Sequence, residues 1–139
     1  MEWNGTRARV WLVLGALNGF LSVALGAYAA HGVAGQVADA LLTTFLKGVH
    51  YQGFHGLALL AVGMLVGLRP GSRWLLAAGT LFALGILLFS GSLYLRVLLD
   101  SAAWGRVTPS GGGALLLGWI CLGVGAWRAP SPPSSSARP

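Results

Sequence analysis

Four apolar runs, each near the length of a bilayer crossing, fill most of a 139-residue chain. They cover residues 10–30, 53–68 and 74–95 and the run that closes at Trp127, and none contains Asp, Glu, Lys or Arg. The hydrocarbon core of a bilayer takes roughly 20 apolar residues per helix, and a helix satisfies its own backbone polar groups there. The expected fold is therefore all-α: a polytopic membrane protein with four transmembrane helices in a compact bundle. Composition agrees, since 55% of residues are hydrophobic and 9% charged, against about 25% charged in an average soluble domain.

The spans are expected at about residues 10–30, 49–68, 74–95 and 111–127. Only short loops remain, so residues 1–128 read as a single transmembrane domain. The Pro/Ser-rich tail, 129–139, reads as disordered, having too little apolar surface to fold. Residues 32–47 form the longest connection. Val37, Leu41, Leu42, Phe45 and Leu46 recur there at helical spacing, with Gln36, Asp39, Thr43 and Lys47 between them. This gives either a short amphipathic helix on the membrane surface or an extension of helix two. Arg69-Pro70-Gly71-Ser72-Arg73 supplies a tight reversal. Thr108-Pro109-Ser110 reads as a helix start, with a hydroxyl cap and a proline in the first turn. The first run has features of a signal peptide, with Ala27-Tyr28-Ala29 as a cleavage sequence. It is longer than the usual apolar region of about 7–15 residues, and three spans follow, so it is read as a retained helix.

The net charge of +6 would suggest nucleic acid in a soluble protein. Here the basic residues stand singly at helix ends, with no basic stripe or recognition module, so no nucleic-acid partner is expected. Anionic lipid headgroups are the expected electrostatic partner. Four spans put both termini and the 69–73 turn on one side. That side carries Arg7, Arg9, Arg69, Arg73, Arg128 and Arg138; the other carries Lys47, Arg96 and Arg106. The excess of basic residues places both termini in the cytoplasm. The chain has 22 glycines, which let membrane helices approach closely. Gly15 and Gly19, continued by Ser22, Gly26 and Ala30, form one small-residue face; Gly63 with Gly67, and Ala114 with Gly118, repeat the spacing. Packing inside the bundle is favoured over dimerisation through an exposed glycine face.

This topology sorts the polar residues by depth. His31 falls at the outer end of helix one, and His50, Tyr51, Gln52 and His55 in the first turns of helix two. Ser90, Ser92 and Tyr94 lie near the outer end of helix three, and Thr108 at the outer start of helix four. Asn18 stands apart, nearer the middle of helix one. Polar groups within a membrane are costly and mark function by default. His31, Gln52, His55, Ser90, Ser92, Tyr94 and Thr108 therefore form the candidate ligand-binding set, an outer-leaflet patch. Gln52 and His55, three apart, share a helix face, whereas His50 and His55 diverge. Each residue alone also has an ordinary role: interfacial hydrogen bonding for the histidines, back-bonding to the i−4 carbonyl or interhelical packing for the serines, and the aromatic belt for Tyr94.

Imidazole suits zinc or copper, but the histidine spacing matches no common metal motif, and no metal or other cofactor is expected. No serine–histidine–acid set is present. The three carboxylates, Glu2, Asp39 and Asp100, fall outside the spans. Cys121 lies alone in the last run and reads as a small packing residue. Gly111-Gly112-Gly113 lacks the lysine and strand of a phosphate loop. Asn4-Gly5-Thr6 fits a glycosylation sequon but falls on the cytoplasmic side.

Several of these strings resemble a known family. They are Gly15-Ala16-Leu17-Asn18-Gly19; Gly26-Ala27-Tyr28-Ala29-Ala30-His31-Gly32; Tyr51-Gln52 with His55; Leu88-Phe89-Ser90-Gly91-Ser92-Leu93-Tyr94; and Thr108-Pro109 with Gly111-Gly112 and Gly118-Trp119. Together they are similar to domain-of-unknown-function family 423, related to the transmembrane protein 256 family. The Phe-Ser-Gly-Ser-Leu-Tyr string is the most specific part. The resemblance implies a small four-helix protein of the bacterial inner membrane and brings no catalytic residue. It also implies an aliphatic residue where Ser110 stands, so this helix start is more polar than the pattern.

The sequence thus predicts an integral membrane protein of unknown molecular function: a non-enzymatic structural or accessory bundle. Its expected partners are membrane lipids, other membrane proteins or a second copy of itself. The alternatives are a small transporter or ligand-binding protein that uses the patch, and a metal-binding membrane protein.

Overall fold

The computed structural model describes residues 5–128; the Pro/Ser-rich tail lies outside the described residues. Helix α1 (Gly5–Tyr28) continues into one π turn (Ala29–Val33). Then come α2 (Asp39–Leu68), α3 (Arg73–Leu98), a 3-10 turn (Ala102–Arg106) and α4 (Thr108–Trp127). Among the described residues, four helical segments are long and apolar enough to cross a membrane. The chain folds as an all-helical bundle in which α2 and α3 form the central pair, α1 packs on α2 and α4 packs on α3. Half of the apolar window of α2 and 44% of that of α3 are buried, against 6% for α1 and 17% for α4. The outer pair therefore presents most of its side chains to lipid.

The seam between α2 and α3 makes the main core: Leu59, Val62 and Val66 meet Leu75, Ala78, Phe82 and Ile86, with Leu115 of α4. A second core caps the far end, where Phe45 of α2 is fully buried with Ala29, Val33 and Val97. This second core decides between the two readings of residues 32–47. No separate surface helix exists there; α2 starts at Asp39 rather than near Val49. Nothing between Asp39 and Gly48 breaks a helix, and Leu41, Leu42 and Phe45 continue the period of Val49 and Gln52. Their apolar face covers the ends of α1 and α3 instead of lying on lipid. At 30 residues, α2 is about 45 Å long, so it outruns a hydrocarbon core of about 30 Å by several turns.

The turns follow local chemistry. After the π turn, Gly35 takes φ +77°, a left-handed conformation that glycine adopts without steric cost. Ser72 caps α3, its Oγ accepting from Leu75 N at 3.4 Å. Arg69 reaches across this reversal and donates to the carbonyl of Gly125 at 3.3 Å, near the end of α4. Asp100 follows α3 with φ +46°. The start of α4 departs from expectation: Val107 occupies the cap position without a side-chain cap, although Pro109 is in the first turn as expected. The Thr108 hydroxyl is instead drawn to Ser92 of α3, 2.8 Å away.

Glycines set the interhelical distances. A Cβ at Gly15 would come within 2.8 Å of the Gly56 carbonyl oxygen, and one at Gly63 within 2.8 Å of Leu12. Gly15 of the small-residue face of α1 thus packs inside the bundle, whereas Gly19 has nothing within 4 Å of its Cβ position and Ala30 is exposed. Between α3 and α4 the tightest approach is at Gly111, where a Cβ would collide with the Phe89 backbone. Gly113, two residues on, has nothing within 4 Å of its Cβ position. Backbone cannot give way as a side-chain tip can. Gly111→Ala is therefore expected to cost about 1–3 kcal/mol or more. Gly113→Ala should be neutral or gain up to about 1 kcal/mol from helix propensity. Thermal unfolding of the two variants in detergent checks the contrast, and equal midpoints would contradict the packing described.

Candidate functional site

The polar residues form three hydrogen-bonded groups rather than one patch. The first ties α1, α2 and α3. Tyr94 OH donates to Gln52 Oε1 at 2.7 Å. Gln52 Nε2 donates to Asn18 Oδ1 at 3.0 Å, and Asn18 Nδ2 donates to the Leu14 carbonyl at 2.8 Å. Beside this chain, Ser90 Oγ donates to the Gly48 carbonyl at 2.7 Å, and Ser22 Oγ to the Val49 carbonyl at 3.1 Å. Ser90 and Ser22 thus reach across to α2 rather than back-bonding within their own helices. Such a bond also uses the second lone pair of a helical carbonyl.

The second group links α2 to α4. His55 Nδ1 lies 2.8 Å from the Tyr51 carbonyl, and Trp119 Nε1 donates to His55 Nε2 at 3.0 Å. A carbonyl only accepts and an indole N–H only donates. These partners assign the hydrogen to Nδ1 and leave Nε2 as acceptor. Both ring nitrogens are therefore occupied. Around them, the rings of Phe82 and Trp119 meet edge to face at 5.1 Å, and Phe54 packs on Trp119 at 5.7 Å. The third group is the Ser92–Thr108 contact between α3 and α4, with Ser92 Oγ also donating to the Phe89 carbonyl at 2.9 Å.

The seven candidate residues are thus placed as follows. Gln52, Ser90 and Tyr94 come together around a cleft of about 420 Å³ between α1 and α3. His55 lines a different cleft, of about 380 Å³, with His50, Tyr51 and Trp119. Ser92 and Thr108 pair with each other. His31 is exposed in the π turn after α1 and lines neither cleft. Gln52 and His55, expected on one face, are both buried but turn toward different neighbours. Among the described residues, no group of three or more His, Cys, Asp or Glu side chains stands close enough to hold a metal ion. No buried side-chain nitrogen or oxygen among them lacks a hydrogen-bond partner.

Three participants escaped the sequence reading; one, Ser22, was read only as a small packing residue, although its hydroxyl ties α1 to α2. Asn18 was set aside by depth, yet the length of the glutamine side chain brings it into the first group. Trp119 was noted only within a family motif. An indole N–H inside an apolar run needs an acceptor, and that requirement was the available signal.

An all-helical bundle whose intramembrane polar side chains are mutually hydrogen-bonded defines a polytopic integral membrane protein. Comparison with known proteins narrows this class. A family model described as "Protein of unknown function (DUF423)" matches residues 25–112. UPF0382 membrane protein SAB0533 of Staphylococcus aureus is 40% identical over 121 residues, covering 86% of this chain and 97% of the relative. UPF0382 membrane protein YwdK of Bacillus subtilis is 40% identical over 118 residues, covering 85% and 96%. UPF0382 inner membrane protein YgdD of Escherichia coli K12 is 39% identical over 121 residues, covering 87% and 92%. The chain belongs to the DUF423 family. No solved structure matches it. The names of these relatives carry no activity.

His55 and His50 separate the structural from the incidental histidine. His55 is buried with both nitrogens bonded, whereas His50 is exposed. His55→Ala should cost about 1–3 kcal/mol, because it leaves the Trp119 indole N–H unpaired. His50→Ala should stay within about 0.5 kcal/mol of the parent. Thermal shift in detergent with a complementation assay reads both; equal tolerance would refute the assignment.

Proposed function

We propose that this protein is a non-enzymatic accessory or structural bundle of the bacterial inner membrane, with both termini in the cytoplasm. It works by packing against lipid and other membrane proteins, or against a second copy of itself, and takes no nucleic acid. The observation that carries this reading is the direction of the polar contacts. Gln52, Ser90, Tyr94, Ser92, Thr108 and His55 are bonded across helix pairs, so they act as ties between helices. A catalytic site needs a nucleophile or base with a free face toward substrate, and His55 has both nitrogens engaged.

The inner-membrane placement draws on the name of the E. coli relative, and the orientation on the distribution of arginine. Arg7, Arg9, Arg69, Arg73 and Arg128 stand at one end of the bundle, against Lys47, Arg96 and Arg106 at the other. Basic residues are retained on the cytoplasmic side. A fluorescent protein fused to the C-terminus should therefore fluoresce, and alkaline phosphatase fused at the same point should be inactive. The reverse pattern would overturn the orientation.

Tyr94→Phe tests the structural role. It removes one donor from Gln52 and should lower stability by about 0.5–1.5 kcal/mol. Any loss of complementation should track that loss of stability and be recovered by a stabilising second change. A Tyr94→Phe chain that keeps its thermal midpoint but loses all complementation would point to chemistry at the phenol instead.

A further inference from the structure

Inside the helices, Gly19, Gly91, Gly113 and Gly123 have nothing within 4 Å of their Cβ positions; of these, Gly91 of α3 borders two clefts. Glycine there costs the helix about 1 kcal/mol relative to alanine. Gly79, Gly85 and Gly111 each offset such a cost by admitting a neighbouring helix; Gly91 admits nothing from this chain. It lies where two clefts meet. The cleft of about 420 Å³ between α1 and α3 and another of about 390 Å³ beside Trp104 and Val107 share Leu87, Gly91 and Tyr94. Side by side they border α3 from Ala83 to Leu95, a furrowed stretch about 18 Å long.

The wall of this furrow carries unspent donors. Gln52 Nε2 and Asn18 Nδ2 each make one hydrogen bond, and a primary amide nitrogen carries two hydrogens. Each therefore has a second N–H to place, and both residues line the cleft, where hydrocarbon offers no acceptor and an unpaired polar hydrogen is costly. The furrow is apolar on its deeper side, at Leu14, Ala83 and Leu87. Tyr94 has its ring packed on Phe45 at 4.8 Å, and the deeper wall offers aliphatic surface. Trp104 stands at the outer mouth, at the level where interfacial tryptophans sit.

We infer that this furrow holds a membrane phospholipid, with one acyl chain along α3 and an ester carbonyl accepting from the Gln52 or Asn18 amide. Depth supports the carbonyl. Gln52 is separated from Arg69, at the far end of α2, by 17 residues, or about 25 Å of helix. With the Arg69–Arg73 turn at one boundary of a hydrocarbon core about 30 Å thick, Gln52 falls close to the other. Ester carbonyls of that leaflet lie at the same boundary, and the chain below them points down the furrow toward Leu14. The inference holds for either orientation of the bundle.

The test uses the full chain in mild detergent, exchanged with vesicles of dioleoyl phosphatidylglycerol or of its ether-linked counterpart. The ether lipid keeps the headgroup and chains and lacks the carbonyls. Native mass spectrometry reads the lipid retained per chain. The ester lipid should be retained roughly tenfold better, the equivalent of about 1.4 kcal/mol. Gly91→Leu should bring ester retention down to the ether level, while thermal unfolding stays in place or rises, because the new side chain fills open space. Equal retention of the two lipids by the unsubstituted chain would overturn the inference, whatever the behaviour of the variant. So would unchanged retention in Gly91→Leu, or displacement of the ester lipid by equimolar decylubiquinone. A dimer that Gly91→Leu converts to monomer would identify a second copy as the occupant and overturn it too.

Discussion

The Gln52 amide is the joint on which the arrangement of α1, α2 and α3 depends. Its oxygen accepts from Tyr94 of α3 and its nitrogen donates to Asn18 of α1. In water such a residue would be content with solvent. Inside a bilayer, an amide left unpaired costs several kcal/mol, so the helices must present partners at the right rotation. An apolar seam tolerates sliding and rotation because one methyl resembles another. A hydrogen-bonded amide selects one register. The chain of donors runs one way, from the phenol through two amides to the Leu14 carbonyl. None of its members is charged, so no ion has to be desolvated to build it.

These ties are short, and glycine makes them possible. A Cβ at Gly56 would lie 3.1 Å from the Asn18 Cβ. The absence of a side chain at 56 is therefore what lets Asn18 approach α2 closely enough to meet Gln52. Gly48 plays the same part for Tyr94, whose ring would stand 2.7 Å from a Cβ there. Close backbone approach and polar pairing are thus one device in this bundle. Helix α4 is held differently: Gly111, Gly118 and Gly125 seat it on α3, and the Trp119–His55 bond ties it to α2.

Hydropathy made the four helices legible, because a bilayer leaves few alternatives for a long uncharged run. It could not decide between a surface helix and an extended α2, since the same apolar period over residues 37–46 covers lipid or the end of a bundle equally well. What settles the matter is the burial of Phe45 against Val97 and Val33, a tertiary fact. Thr108 shows the same limit. A hydroxyl before a proline reads as a cap, but a serine from another helix offers it a better partner.

Depth and rotation carried unequal information at the polar residues. Topology acts as a ruler along the membrane normal and says nothing about rotation around each helix. Gln52 and His55 are neighbours on the ruler, but about 60° of helical rotation separates them, and Gln52 bonds to α1 and α3 while His55 bonds to α4. Asn18 is displaced on the ruler and is nonetheless a partner, because two amide side chains reaching toward each other bridge the difference. Shared depth is also what any bundle produces when polar residues are tolerated toward helix ends, so it does not by itself distinguish a binding site from a set of ties. The distinction lies in what each group has left to offer. His55 has both nitrogens occupied. The amides of Asn18 and Gln52 keep a hydrogen each, beside a furrow that Gly91 holds open.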